Sequence, residues 1–251
     1  MTKRVFAVAA HPDDIEIFMG GTLIRLKQAG CELHYMNIAN GCCGSATLDA
    51  GEITRVRLGE AQTAAASIGA VFHPPLCDDL EIFYEKTLLA RLGAIMREVA
   101  PDILLTLSPA DYMEDHQNAS RLAVAAIFFR NIRNYSTIPP RGPVFQPVTV
   151  YHAQPYGNRD QLGQVVRPAQ FVDIGGVMAE KTAMLACHRS QKEWLDVSQG
   201  LDSYLTAMQD FASEVGAMSG RYAWAEGWRR HHHLGFCAPE SDPLAALVGP
   251  R

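Results

Sequence analysis

The chain has 251 residues and a formal net charge of −5, with 48% apolar and 20% charged residues, which is typical of a globular protein with a sizeable core. Lysine and arginine form no basic block, so we expect no nucleic-acid surface. The longest apolar run, at 122–129, has eight residues and is too short to span a membrane. The six cysteines suggest no disulfide scaffold, and we identify no signal peptide, so we expect a cytoplasmic protein with free thiols.

Segments with strand character alternate with segments with helix character along the chain. Apolar runs predict strands at 4–10, 31–39, 102–108, 147–152 and 170–174. Helical spacing of apolar residues predicts helices at 20–30, 52–70, 88–101, 116–132, 176–190 and 200–217. The stretch 137–143 is predicted to be a surface loop, and the tail from residue 239 is expected to be loosely held.

This alternation predicts a Rossmann-like α/β fold, with a mostly parallel sheet and helices on both faces. We expect a single domain over residues 1–251. Its motif-bearing core would occupy about 1–155, and 156–251 would supply C-terminal helices and the tail.

Ionisable side chains cluster where the predicted strands end. His11, Asp13 and Asp14 follow the first strand, His116 lies beyond the strand at 102–108, and His152 ends the strand at 147–152. In parallel α/β sheets, functional residues lie beyond the carboxyl ends of the strands. We therefore expect these groups to converge on one edge of the sheet.

Two imidazoles and one carboxylate make a three-ligand metal site that leaves a position for water. His11, Asp14 and His116 could supply these ligands. A divalent metal lowers the pKa of bound water to about 7, and the second carboxylate, Asp13, could take the remaining proton. The alternative is that the Pro-Asp-Asp stretch at 12–14 is only a helix N-cap, in which an aspartate accepts backbone N–H bonds.

Three motifs resemble those of the LmbE-like, or PIG-L, family of deacetylases: Ala-His-Pro-Asp-Asp at 10–14, Gly-Gly-Thr-Leu at 20–23 and Asp-His at 115–116. The resemblance implies a Rossmann-like sheet, a divalent metal, usually Zn²⁺ with Fe²⁺ as another candidate, and removal of an N-acyl group from a glucosamine-type sugar. It implies His11, Asp14 and His116 as metal ligands and Asp13 as the general base. It also implies Arg57, paired in sequence with Glu60, and Asp115 as substrate-binding residues.

One position departs from the family pattern. The family often has His-Pro-Asp-His where this chain has Met113, Glu114, Asp115 and His116. Methionine cannot donate the hydrogen bond that the first histidine would give to the oxyanion. Either the metal alone stabilises the oxyanion and Asp13 serves as both base and acid, or His152 or Tyr112 supplies this donor. We favour His152, slightly, as a second catalytic residue.

Several other residues have a structural interpretation that we prefer. Trp224 and Trp228 are expected to pack in a core or interface rather than to form an aromatic rim for a sugar. Three consecutive histidines, 231–233, are expected to be solvated or to contact a second subunit, and we expect a homo-oligomer. Cys42 and Cys43 are predicted at the mouth of the site without a catalytic role. His188 is expected to serve packing or to lie at the surface.

The sequence thus predicts a zinc-dependent hydrolase acting on a small N-acyl sugar. One alternative is a nucleotide-binding module, although the first strand is followed by His-Pro-Asp-Asp rather than a glycine-rich phosphate loop. Another is a non-catalytic metal or sugar sensor. The presence of both Asp13 and Asp14 favours the enzyme, because metal binding alone needs only one of them.

Overall fold

The computed structural model describes residues 2–192 and 203–249. The strands within these residues are β1 (Arg4–Ala9), β2 (Glu32–Asn37), β3 (Val71–His73), β4 (Ile103–Thr106), β5 (Thr149–His152), β6 (Gln170–Asp173) and β7 (Ala225–Arg230). The α-helices are α1 (Asp14–Gln28), α2 (Ala50–Ser67), α3 (Lys86–Val99), α4 (Glu114–Phe128), α5 (Met178–Leu185), α6 (Ser203–Ser219) and α7 (Pro243–Val248). The predicted helix at 200–217 corresponds to α6, and its first three positions lie outside the described residues.

The seven strands form one sheet in the order β3-β2-β1-β4-β5-β7-β6. Strands β1 to β5 pair in parallel, whereas β7 runs antiparallel to both β5 and β6. The central strand β1 is buried over nearly its whole length, as expected for a strand covered by helices on both faces. The predicted α/β class with a mostly parallel sheet is therefore confirmed.

The chain reverses its direction of travel across the sheet between β1 and β4. From β1 it moves outward to β2 and β3, and it then returns to β4 on the other side of β1. In such sheets a crevice opens at the carboxyl ends of the two strands that flank the reversal. The loop after β1, which holds His11, and the first turn of α4, which holds His116, border this crevice.

Helix α1 begins at Asp14, six residues before the helix predicted from residue 20. Two adjacent glycines, Gly20 and Gly21, weaken the helical signal of this segment because glycine is a poor helix former. Close packing in the structure explains why a glycine occupies position 21. A Cβ atom at this position would lie 2.6 Å from Ile174 Cγ2, and the Gly21 amide donates to the buried Glu226 carboxylate at 2.8 Å.

The part of the chain after residue 155 contributes strands to the sheet as well as helices. Strand β7 was not predicted, because its sequence Ala-Glu-Gly-Trp-Arg-Arg has no apolar alternation. Its Glu226 is 4% exposed and forms an ion pair of 2.6 Å with Lys181 of α5. The short strand β3 was also not predicted.

The expectation of a loosely held tail from residue 239 is wrong for the described residues up to 249. Helix α7 buries Leu244 and Val248 against the core. Just before it, Asp242 accepts a hydrogen bond of 2.7 Å from the Tyr151 hydroxyl. The tail is held because it supplies apolar side chains and a carboxylate to the sheet.

Among the described residues, no helix is both long enough and apolar enough to cross a membrane.

Candidate active site

The turn between β1 and α1 has an unusual backbone conformation. Asp13 precedes the helix with φ of +105°, and its side chain makes no capping hydrogen bond to the helix. A residue other than glycine in this region carries strain of order 1–3 kcal/mol, which is often found at functional sites. The interpretation of Asp13 as a simple helix N-cap is therefore not supported.

The structure brings His11, Asp14 and His116 together. One ligand atom from each lies within 4.8 Å of the other two. His116 Nε2 lies 3.2 Å from Asp14 Oδ1, and His11 Nδ1 lies 3.7 Å from Asp14 Oδ2. Histidine–aspartate–histidine is a donor set that suits zinc with an open position for water.

Each of the two histidines has a carboxylate on its outer nitrogen. His11 Nε2 lies 2.9 Å from Asp115 Oδ2, and His116 Nδ1 lies 3.1 Å from Asp111 Oδ1. Such carboxylates hold the imidazole rings in the orientation and tautomer that metal binding needs. Asp111 was not singled out from the sequence, although it begins the same segment that contains His116.

Asp115 was predicted to bind substrate, and its contacts favour a different role. Its Oδ2 faces His11 and also accepts the backbone amide of Leu80 at 2.8 Å. The side chain is buried and does not line the cavity. Asp115 is placed to orient His11.

The site carries more negative charge than its own side chains neutralise. Burial disfavours a charge on His116, but Asp14 and Asp111 outweigh this effect and raise the pKa of His116 to about 10. A bound cation would neutralise the negative charge of the same carboxylates. The donor set, the oriented imidazoles and this excess of carboxylates all fit a divalent metal ion.

Asp13 is held beside the three candidate ligands by two side chains. Tyr204 of α6 donates a hydrogen bond of 2.8 Å to Asp13 Oδ2, and Arg57 Nη2 lies 3.6 Å from the same oxygen. Burial raises the pKa of Asp13, although the Arg57 charge opposes this effect. Tyr204 gave no sequence signal, because it lies 191 residues from Asp13 in a segment without a motif.

Arg57 lines the cavity, but most of its contacts are within the protein. The guanidinium donates to the backbone oxygens of Pro12 and Gly41, and the side chain is 4% exposed. Its suggested partner Glu60 instead accepts the amide and hydroxyl of Ser190 at 2.8 and 2.7 Å. These contacts favour a role for Arg57 in fixing Asp13 and the neighbouring loops over the predicted binding of substrate.

The cavity beside these groups has a volume of about 360 Å³. Its polar floor contains His11, Asp13, Asp14 and His116, and its walls are largely apolar or aromatic: Ile17, Leu80, Tyr112, Met113, Tyr156, Tyr204, Ala207, Met208 and Phe211. The Tyr156 ring lies 5.5 Å from the Tyr112 ring and 4.8 Å from the Phe211 ring, centroid to centroid. An aromatic wall of this kind suits a sugar ring or an apolar substituent.

His152 is not brought into this cavity. It is buried, with Nδ1 2.9 Å from the backbone oxygen of Leu107 and Nε2 2.9 Å from His231 Nδ1. It is absent from the cavity lining, whereas Tyr112 and Met113 are both present. This placement disfavours the direct catalytic role predicted for His152, and Tyr112 is the better placed of the two candidate donors.

Of the other residues considered from the sequence, the described ones differ in whether they reach the cavity. Trp228 is buried and donates to Thr22 Oγ1 at 3.0 Å, as expected for a packing role, and neither tryptophan lines the cavity. Cys43 does line it. His188 is fully buried, with Nε2 3.4 Å from Glu16 Oε1.

Comparison with known proteins gives three principal similarities. A diacetylchitobiose deacetylase of Thermococcus kodakarensis is 28% identical over 233 residues, which cover 90% of this chain and 82% of that protein. A 4-oxalmesaconate hydratase of Pseudomonas putida is 29% identical over 198 residues, which cover 76% of this chain and 74% of that protein. The solved structure of an N,N'-diacetylchitobiose deacetylase from Pyrococcus horikoshii shares the fold, with a TM-score of 0.78, 23% identity and coverage of 96% of this chain and 88% of that chain.

A protein-family model also matches the part of the chain that contains the sequence motifs. The model described as PIG-L, GlcNAc-PI de-N-acetylase, matches residues 6–127. This range contains His11, Asp13, Asp14, Arg57 and His116, on which the resemblance was based. Over residues 6–127 this chain is therefore similar to the PIG-L, or LmbE-like, family.

Proposed function

We propose that the protein is a zinc-dependent hydrolase that removes an N-acyl group, most simply acetyl, from a glucosamine-type small molecule. The observation that carries this proposal is the cluster of His11, Asp14 and His116 with the carboxylate of Asp13 beside it, on a residue whose backbone is strained. The match to the PIG-L model and the deacetylase relative support the same reaction. We further propose that the whole chain is one domain and acts in the cytoplasm as a homo-oligomer.

His11, Asp14 and His116 would hold the metal. When bound, a zinc ion supplies Lewis acidity and lowers the pKa of a water molecule. Asp13 takes the proton of the attacking water through Oδ1, because Tyr204 and Arg57 fix its Oδ2 and no side chain or amide of the described residues hydrogen-bonds to Oδ1. The protonated Asp13 then delivers the proton to the leaving amine.

Tyr112 is the residue that we propose as the donor near the developing oxyanion. It lies at the cavity wall next to Met113. Desolvation there, with the charges of Asp14 and Asp111, raises the pKa of Tyr112 to about 12, so its hydroxyl stays protonated at neutral pH. Loss of one oxyanion donor costs about 10²–10³ in kcat, and we expect this loss in Tyr112→Phe with the metal retained. The same loss in His152→Ala but not in Tyr112→Phe would restore His152 to that role.

The hydratase relative suggests a second reaction, the addition of water to an unsaturated acid. An oxalmesaconate carries carboxylate groups, which proteins bind with cations. Among the described residues that line the cavity, Arg57 is the one lysine or arginine, and its guanidinium is already engaged with Pro12, Gly41 and Asp13. The cavity therefore favours an uncharged N-acyl substrate.

The test combines metal content with activity on a small panel. Purified protein should hold close to one divalent ion per chain, and His11→Ala, Asp14→Ala and His116→Ala should each lose it, because two ligands rarely retain zinc. His232→Ala serves as the control. The zinc-loaded protein should release free amine from N-acetylglucosamine derivatives. Hydration of 4-oxalmesaconate without any amine release would overturn the proposal.

A further inference from the structure

A second group of metal-binding side chains lies on the loop that follows β2. Cys42 and Cys43 are adjacent in sequence and carry free thiols. Together with Asp79, they offer three ligand atoms that all lie within 4.8 Å of one another. None of these three residues has a part in the proposed reaction.

The separation of the two sulfur atoms matches a chelated ion. Cys42 Sγ lies 3.9 Å from Cys43 Sγ. A tetrahedral zinc ion with Zn–S bonds of about 2.3 Å places two sulfur ligands about 3.8 Å apart. The thiols therefore already stand at the distance that a tetrahedral thiophilic ion requires.

The loop is held in this conformation by Asp79 itself. Asp79 Oδ1 accepts the Gly41 amide at 2.7 Å, and Oδ2 accepts the Cys43 amide at 2.9 Å. The Cys42 amide is fixed in turn by Asn40 Oδ1 at 3.0 Å. Asp79 is 8% exposed, and each of its oxygens keeps a lone pair beyond these bonds. The site is thus preorganised, which limits the entropy cost of binding an ion.

We infer that Cys42, Cys43 and Asp79 form a second metal site for a soft divalent ion, such as Cd²⁺ or excess Zn²⁺. Soft thiolate ligands favour these ions over hard cations. Binding breaks two S–H bonds, releases two protons to solvent and forms two metal–sulfur bonds, with no change of oxidation state.

This second site is next to the first. Cys43 and Asp79 line the same cavity as His11 and Asp14. An ion held by the thiols would occupy space at the cavity wall and obstruct the entry of substrate. We therefore expect excess thiophilic metal to inhibit the enzyme, and the inhibition rests on the proposed function whereas ion binding does not.

The experiment adds Cd²⁺ to the protein loaded with one zinc per chain and records the ultraviolet absorption of cadmium–thiolate charge transfer. The His–Asp–His site has no sulfur ligand, so exchange of its metal gives no such band. Wild type should gain the band with one additional ion per chain. Cys42→Ser and Cys43→Ser should each lose about half of the band, because one sulfur ligand remains, and should weaken the binding of the additional ion by at least about tenfold, because each removes one of three ligands.

Cys187→Ser, which removes a partly buried thiol of another segment, is the control and should keep the band at full intensity. A wild-type protein that takes up no additional ion overturns the inference, and so does a band that persists when both Cys42 and Cys43 are serine. Because absorption and ion count require no substrate, failure here is distinguishable from failure of the proposed deacylation. If the inference holds and the deacylation is real, Cys42→Ser should also need about tenfold more Cd²⁺ for half inhibition.

Discussion

At the scale of single residues, two carboxylates hold the imidazoles of the candidate metal ligands in place. Asp111 and Asp115 each face the outer nitrogen of one histidine. Asp111 Oδ2 also accepts the Tyr156 amide at 2.9 Å, which ties the loop after β5 to the site. These carboxylates thus connect the orientation of the imidazoles to the loops that build the cavity.

We expect Asp111→Asn and Asp115→Asn each to weaken zinc affinity by about 10–100-fold, because the neutral amide no longer raises the basicity of the imidazole. Competition with a chromogenic chelator measures this affinity. Asp102→Asn is the matched control, since Asp102 pairs with Lys3 at the opposite edge of the sheet. If both site variants keep wild-type affinity, the two carboxylates do not act on the metal through the histidines.

The buried imidazole of His152 should make the folding stability of the protein depend on pH in the mildly acidic range. Burial lowers its pKa to about 4, and the neighbouring His231 and Arg229 act in the same direction, against an ordinary value of about 6.5. The unfolded chain therefore binds a proton more readily than the fold, so His152 makes the protein less stable as pH falls from about 6.5 to about 4.

His152→Asn removes this titrating group. The loss in unfolding free energy that the substitution causes should therefore be about 2 kcal/mol smaller at pH 5 than at pH 7. Urea unfolding of the zinc-free wild type and variant at the two pH values measures the difference. An equal cost at both pH values would mean that the buried imidazole is not kept neutral.

At the scale of elements, the contact of α1 with β7 and with Ile174, just after β6, depends on a glycine, Gly21. A methyl group at Gly21 would collide with Ile174 and crowd Glu226. Gly59, in α2, has nothing within 4 Å of such a methyl group. The two glycines are both helical and differ in what their missing side chains would meet.

Gly21→Ala should destabilise the protein by about 1–3 kcal/mol through overpacking, whereas Gly59→Ala should stabilise it by about 0.5–1 kcal/mol through higher helix propensity. Thermal or urea unfolding of both variants tests this pair. The same sign of change for both would show that backbone propensity, and not the packing of α1, decides the outcome.

At the scale of the whole molecule, the sequence predicted the parts that depend on local pattern. Continuous apolar runs identified β1 and β4, and the residues crowded after them identified His11, Asp14 and His116. Strand β7 was missed because Glu226 is buried through its ion pair with Lys181, and such a pair leaves no apolar pattern. Tyr204 was missed because its contact with Asp13 exists only after the chain has folded.

The measurement that tests the central claim most directly is the kcat of Asp13→Asn for amine release from an N-acetylglucosamine derivative, at a zinc content equal to that of wild type. Asparagine keeps the shape of the side chain but cannot take the proton of the attacking water. The account predicts a loss of about 10²–10⁴ in kcat with one zinc per chain retained. Activity within about threefold of wild type, far short of the usual effect of a general base, would contradict it.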